Sequence, residues 1–153
     1  MSRSASLLAA AALAAALSAA QAEPWEFSSA SALDTDYNAG KAAIDKKNWG
    51  EAVRRFTWAL QRDPTNADLH NYLGYSYRNL KQMDTAFAHY RKAIELNPRH
   101  RGAHEYMGEA YLLVNDLPSA EKHVAALKEI CLLSCDELVH LEKAVAQYRS
   151  KPN

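Results

Sequence analysis

Glycine and proline are scarce in this chain, five of each in 153 residues, while alanine is abundant, a balance that favours helices. Charge of one sign is also missing, with 18 basic residues against 18 acidic. Without a basic excess there is little reason to expect nucleic acid or an anionic membrane as partner. No G-x-S-x-G, glycine-rich phosphate loop or H-E-x-x-H occurs. Acidic pairs such as Glu105 and Glu109, four apart, fit a solvated helix face. Neither an enzyme nor a bound cofactor is therefore expected. Cysteine is limited to Cys131 and Cys135.

The N-terminus reads as a secretory signal peptide over 1–22. Arg3 is followed by an apolar run from Leu7 to Leu17 and the closing Ala20-Gln21-Ala22. The run is short for a membrane span, and no cysteine follows the cut to carry a lipid. The expected mature chain starts at Glu23, is secreted, with a periplasm as the expected destination, and keeps no membrane span. Its residues, 23–153, fit one domain. Segment 23–32 has no period and reads as an irregular lead, with Trp25 and Phe27 expected to pack on the first helices.

An internal period organises the rest. Pro64 and Pro98 stand 34 residues apart, in "LQRDPTN" and "IELNPRH". Ala39-Gly40, Leu73-Gly74 and Met107-Gly108 recur at the same step. So do Ala52, Ala86 and Ala120, then Phe56, Tyr90 and Val124, then Ala59, Ala93 and Leu127. In the second copy Leu73, Tyr77 and Leu80 mark one helix face, and Phe87, Tyr90 and Ile94 another. Gly74 and Ala86 are small where two helices must approach. Asn48 and Asp116 suit helix N-caps, Pro118 a first turn, and Pro64 and Pro98 the gaps between helix pairs.

This pattern resembles the tetratricopeptide repeat. The resemblance implies an all-α, right-handed solenoid of three helix pairs, with copies at 33–66, 67–100 and 101–134. His70 and His104 depart from it, standing at the fourth repeat position where the family favours tryptophan. The third copy lacks its closing proline. After it, Ser134 and Glu137 form a capping box, and Leu138, Leu141, Val145 and Tyr148 form one apolar stripe. Residues 135–150 are therefore expected to be a helix that caps the array.

Cys131 falls at the end of the last repeat helix and Cys135 at the start of the cap. A tight turn between antiparallel helices suits a disulfide, and export places the pair where disulfides persist. The alternative is a thiol-redox or copper carrier, with His140 nearby. Against redox, the spacing exceeds C-x-x-C and the first cysteine lies at a helix C-terminus, where a thiolate is disfavoured. His100 and His104, four apart, could face a metal only if helical, and no carboxylate or cysteine joins them. No metal site is expected.

The resemblance also implies a concave, peptide-binding groove lined by the first helix of each pair. By repeat position its residues are Tyr37, Lys41 and Ile44, then Asn71, Tyr75, Arg78 and Asn79, then Glu105, Glu109 and Leu112. These groups suit a protein or peptide segment, in a scaffold or assembly role. One family subtype grips a terminal carboxylate, but its positions here hold Tyr37, Lys41, Tyr72, Gly102 and Tyr106, with a single basic residue. Formal charge runs +1, +2 and −2 over the three copies. A bound segment is thus expected to set acidic residues beside the first two copies and basic ones beside the third.

Overall fold

The computed structural model describes residues 29–151. The signal-peptide reading of 1–22, and Trp25 and Phe27, lie outside the described residues. Seven helices follow in order: α1 (Ser29–Asp45), α2 (Trp49–Arg62), α3 (Ala67–Asn79), α4 (Met83–Leu96), α5 (Arg101–Leu113), α6 (Leu117–Cys131) and α7 (Asp136–Arg149). They pair as α1 with α2, α3 with α4 and α5 with α6, and α7 packs on both helices of the last pair. The repeats therefore stack as an all-α solenoid. The first helix starts at Ser29, four residues before the boundary read at 33.

The 34-residue step sets each turn inside a pair. Lys47, Lys81 and Asn115 all take positive φ, at 55°, 64° and 61°. At each turn the next residue's N–H reaches back five positions, as Asn48 N does to the Ala43 carbonyl at 2.8 Å. This closes the first helix and lets the second start at once. Asn48 Oδ1 accepts from Glu51 N, and Asp116 Oδ1 from Ser119 N. Gln82, at the same position in the second copy, makes no such bond.

Close approach within a pair depends on glycine facing a large side chain. A methyl on Gly40 would lie 2.6 Å from the Phe56 ring, and one on Gly74 2.6 Å from the Tyr90 ring. The third copy has Val124 at that position, too small to fill the space. Leu141 enters from α7 instead, 2.6 Å from where a methyl on Gly108 would stand. The cap is thus built into the core. Phe56, Tyr90, Leu127 and Leu141 are all fully buried, each contributing about 1.5–3 kcal/mol by leaving water. Leu80 departs from the expected face: it is the C-cap of α3 and is 37% exposed.

At the fourth repeat position a histidine replaces the aromatic anchor, and it has a partner. His70 Nδ1 lies 3.1 Å from His89 Nδ1, and His104 Nδ1 lies 3.0 Å from His123 Nδ1. The partner rings stack on Tyr77 and Tyr111. Both contacts tie the first helix of a pair to the second.

The last turn differs from its expected form. Cys135, not Ser134, is the N-cap of α7, and no side chain makes the capping bond. The Ser134–Glu137 box therefore does not form. Cys131 and Cys135 are joined by a disulfide, with Cα atoms 5.8 Å apart. The ring they close holds Leu132 at positive φ and leaves Leu132 and Leu133 85% and 97% exposed. Among the described residues no helix is long and apolar enough to cross a membrane.

Candidate functional site

The first helices of the pairs form an inner layer. Helix α3 packs on α5 and α5 on α7, and α1 meets α3 through the Tyr37 and Tyr72 rings, while α4 and α6 make no comparable packing contact. Side chains of α1, α3, α5 and α7 that turn away from the outer helices line the concave face. The sequence-predicted groove residues divide into three groups there.

Some belong to the frame. Ile44 packs against the first core cluster and Leu112 against the last. Asn79 Nδ2 donates to the Tyr75 carbonyl at 2.8 Å, closing the end of α3. Asn71 is buried, with Oδ1 lacking a hydrogen-bond partner.

Others form an aromatic floor. Tyr37 stands edge-on to Tyr72, with ring centroids 5.7 Å apart. Tyr75 meets Trp49 edge-on at 5.7 Å and Tyr106 at 4.7 Å. Trp49, Tyr72 and Tyr106 are absent from the sequence-based groove. Tyr72 and Tyr106 carry a signal that could have marked them, since they stand 34 residues apart on successive inner helices. Burial pushes the Tyr37 phenol well above the ordinary tyrosine range and the Tyr106 phenol up to about 12, so both rings stay neutral.

The charged residues mostly neutralise one another. Arg78 Nη1 donates to Glu109 Oε2 at 2.7 Å and to the Tyr106 carbonyl at 3.1 Å. Its guanidinium lies 5.0 Å from the Tyr75 ring centre and 5.5 Å from that of Tyr106. Glu105 is buried, 3.0 Å from His140 Nδ1 on α7. Burial raises its carboxyl to about 7, against the hydrogen bond from His140, which lowers it. Lys41 is exposed over the Tyr37 ring at 5.6 Å.

A cavity of about 400 Å³ opens between the C-terminal ends of α3, α5 and α7. Arg78, Asn79 and Glu109 form one wall; Gln147, Tyr148 and Lys151 at the α7 end form another. Tyr148 is held by its hydroxyl, which donates to Asn115 Oδ1 at 3.2 Å. Read from sequence as a cap, α7 also supplies a wall of this cavity. The sequence misses this because α7 has no following partner helix to reveal its period.

The other candidate centres are placed by the same geometry. Cys131 and Cys135 are bonded to each other, and His140 faces Glu105 instead of them. His100 Nδ1 caps α5 by accepting from Ala103 N, and its Nε2 lies 2.9 Å from Asp68 Oδ1. His104 turns to His123, so the two histidines four apart do not converge. Among the described residues no group of three or more His, Cys, Asp or Glu side chains is placed to hold a metal.

No curated protein matches the chain. Among solved structures, the TPR domain of Arabidopsis OM64 superposes with a TM-score of 0.69 at 18% identity, covering 78% of this chain and 98% of that one. The TPR2B domain of yeast Sti1 in its Hsp70 complex gives 0.67 at 24% identity, covering 76% and 98%. The Yersinia enterocolitica type III secretion translocator chaperone SycD gives 0.68 at 17%, covering 77% and 89%. At these identities the likeness is one of fold. Residues 37–98 match the family model described as tetratricopeptide repeat, and helix pairs recurring every 34 residues around an inner groove are what that family builds. Over residues 37–98 the chain is similar to the tetratricopeptide repeat, and its described helices share the fold of solved TPR domains.

Proposed function

We propose that this chain is an exported, non-catalytic protein-interaction module that holds a peptide or protein segment in its concave groove. The observation that carries the reading is the aromatic floor of Tyr75 and Tyr106 on the inner helices α3 and α5, edged by Trp49 from the start of the outer helix α2. Structures of the same fold include complexes with Hsp70 peptides, which supports a peptide as occupant. Terminal-carboxylate capture is not favoured, since Lys41 alone is basic among the positions that subtype uses. The signal-peptide reading of 1–22 supports export to a periplasm, and sequencing of secreted protein should start at Glu23.

The paired charges also suggest the partner's polarity. Glu105 and Glu109 are neutralised within the groove, whereas Lys41, Lys81 and Lys151 have no carboxylate at ion-pair distance among the described residues. A basic residue opposite the third copy would compete with Arg78 and His140. The segment is therefore acidic on both sides of an aromatic or aliphatic anchor, and its charge sets orientation and on-rate more than affinity.

A displayed random-peptide library selected on the intact chain tests this. Enriched peptides should be acidic, and Tyr75→Ala should weaken them by about 2 kcal/mol or more. Failure to enrich any sequence, or full retention of binders by Tyr75→Ala, would remove the groove as the binding site.

A further inference from the structure

We propose that the His70–His89 and His104–His123 contacts are an acid-released clamp, in which neutral imidazoles hold the inner helix of the second and third pairs to the outer helix and protonation separates them. The hydrogen-bond geometry assigns the tautomers. His104 Nε2 lies 3.0 Å from the Pro98 carbonyl, which can only accept, so Nε2 carries the proton and Nδ1 is an acceptor. His123 Nδ1, 3.0 Å away, must then be the donor. The ring pair recurs 34 residues earlier, where His70 Nδ1 lies 3.1 Å from His89 Nδ1 and the Pro64 backbone acts on His70 as the Pro98 backbone does on His104. Each clamp links an inter-repeat turn, an inner helix and an outer helix.

One proton can enter a pair at the outer ring's Nε2 without breaking the Nδ1–H···Nδ1 bond. The second cannot, because it puts two N–H donors and two positive charges about 3 Å apart. The surroundings oppose even the first. The rings are packed against Tyr77 on α3 and Tyr111 on α5. The remaining charges felt by the inner rings are Lys92 and Glu95 at His70 and His100 at His104. The described ion pairs of histidine involve only His100 and His140, so none of the four rings has a carboxylate at ion-pair distance.

Burial, with the neighbouring inner ring, lowers His89 and His123 to about 4, and it lowers His70 and His104 also. A histidine depressed in the folded state supports folding above its unfolded value of about 6.5, and that support is lost as pH falls from there towards about 4. For every pH unit by which folding lowers a ring's titration, the unfolding constant changes about ten-fold once the pH has crossed that interval. Because the rings are partly open to solvent, about ten-fold per pair is expected at pH ~5, or about 100-fold for the two.

The inner members adjoin groove positions, His70 beside Asn71 and His104 beside Glu105. Release would therefore loosen α3 and α5, yet the clamp stands whether or not the groove binds peptide.

Two measurements on the intact chain decide it. Imidazole 15N spectra should show His104 protonated at Nε2 and His123 at Nδ1 at neutral pH, with the outer rings titrating well below the ordinary histidine value. Titration of His89 and His123 at about 6.5 would overturn the clamp. In the double variant His89→Asn with His123→Asn, an amide N–H can replace each donor but cannot titrate. Its unfolding constant should rise about 100-fold less than that of the wild type between pH ~7.5 and ~5. An equal rise in both proteins would overturn the clamp. If the variant does not fold, the spectra of the native chain still decide.

Discussion

Arg78 on α3 and Glu109 on α5 meet across the groove, Nη1 to Oε2 at 2.7 Å. The arginine side chain is only 11% exposed and is bracketed by the rings of Tyr75 and Tyr106. Its position in the repeat suggests a charge offered to a partner; its contacts make it a pin between consecutive repeats.

Glu109→Gln should therefore cost about 2–3 kcal/mol in urea unfolding, since it leaves a largely buried guanidinium without its carboxylate. The figure is set below that of a fully buried pair because Glu109 is 29% exposed. A stability loss under about half a kcal/mol would return Arg78 to the set of free groove charges.

Gly74 and Tyr90 make a second pair whose substitutions separate packing from hydrogen bonding. Gly74→Ala drives a methyl towards the Tyr90 ring and should cost about 1–3 kcal/mol. Tyr90→Ala should cost about 3–5 kcal/mol through the cavity it leaves. Tyr90→Phe should be neutral or stabilising by about 1 kcal/mol, because the buried hydroxyl has no hydrogen-bond partner. Thermal unfolding of the three variants checks the order, and a Phe variant as unstable as the Ala variant would contradict it.

The disulfide should act as a staple. Converting Cys131 and Cys135 together to serine removes a short closed loop and should cost about 2 kcal/mol in the chain-entropy treatment. Affinity for selected peptides should be unchanged. Loss of binding in a folded double variant would assign the cysteines a role beyond the staple.

Glu105 should make stability fall on the alkaline side. Its carboxyl is raised by burial to about 7, so the folded state binds more protons than the unfolded one between about 4.5 and 7. Its contribution is present below that window and declines as pH rises through it, opposite in sense to the histidine pairs. Glu105→Gln keeps a hydrogen-bonding group facing His140 and should flatten the decline. Denaturant midpoints at intervals from pH ~5 to ~8 would show it, and parallel curves for the two proteins would exclude it.

The architecture was legible because it rests on local chemistry repeated in register. Phe56 and Tyr90 against Gly40 and Gly74, the caps Asn48 and Asp116, and Pro64 and Pro98 each follow from steric size or backbone hydrogen bonding within a few turns. The histidine pairs left a trace too, since His70, Tyr77 and His89 recur as His104, Tyr111 and His123. Without a known inter-helix distance, though, the set is only a list of residues. What the tertiary structure decided is which groups meet across repeats. Arg78 and Glu109 are separated by 31 residues and Glu105 and His140 by 35. Their pairing turns apparent groove charges into internal contacts, an ion pair for Arg78 and Glu109 and a hydrogen bond for Glu105 and His140. Likewise Val124 is too short for the space facing Gly108, and only the packing of α7 brings Leu141 to fill it. Periodicity specifies each helix's apolar face; charge pairing and void filling depend on distances between helices, which only the assembled solenoid sets.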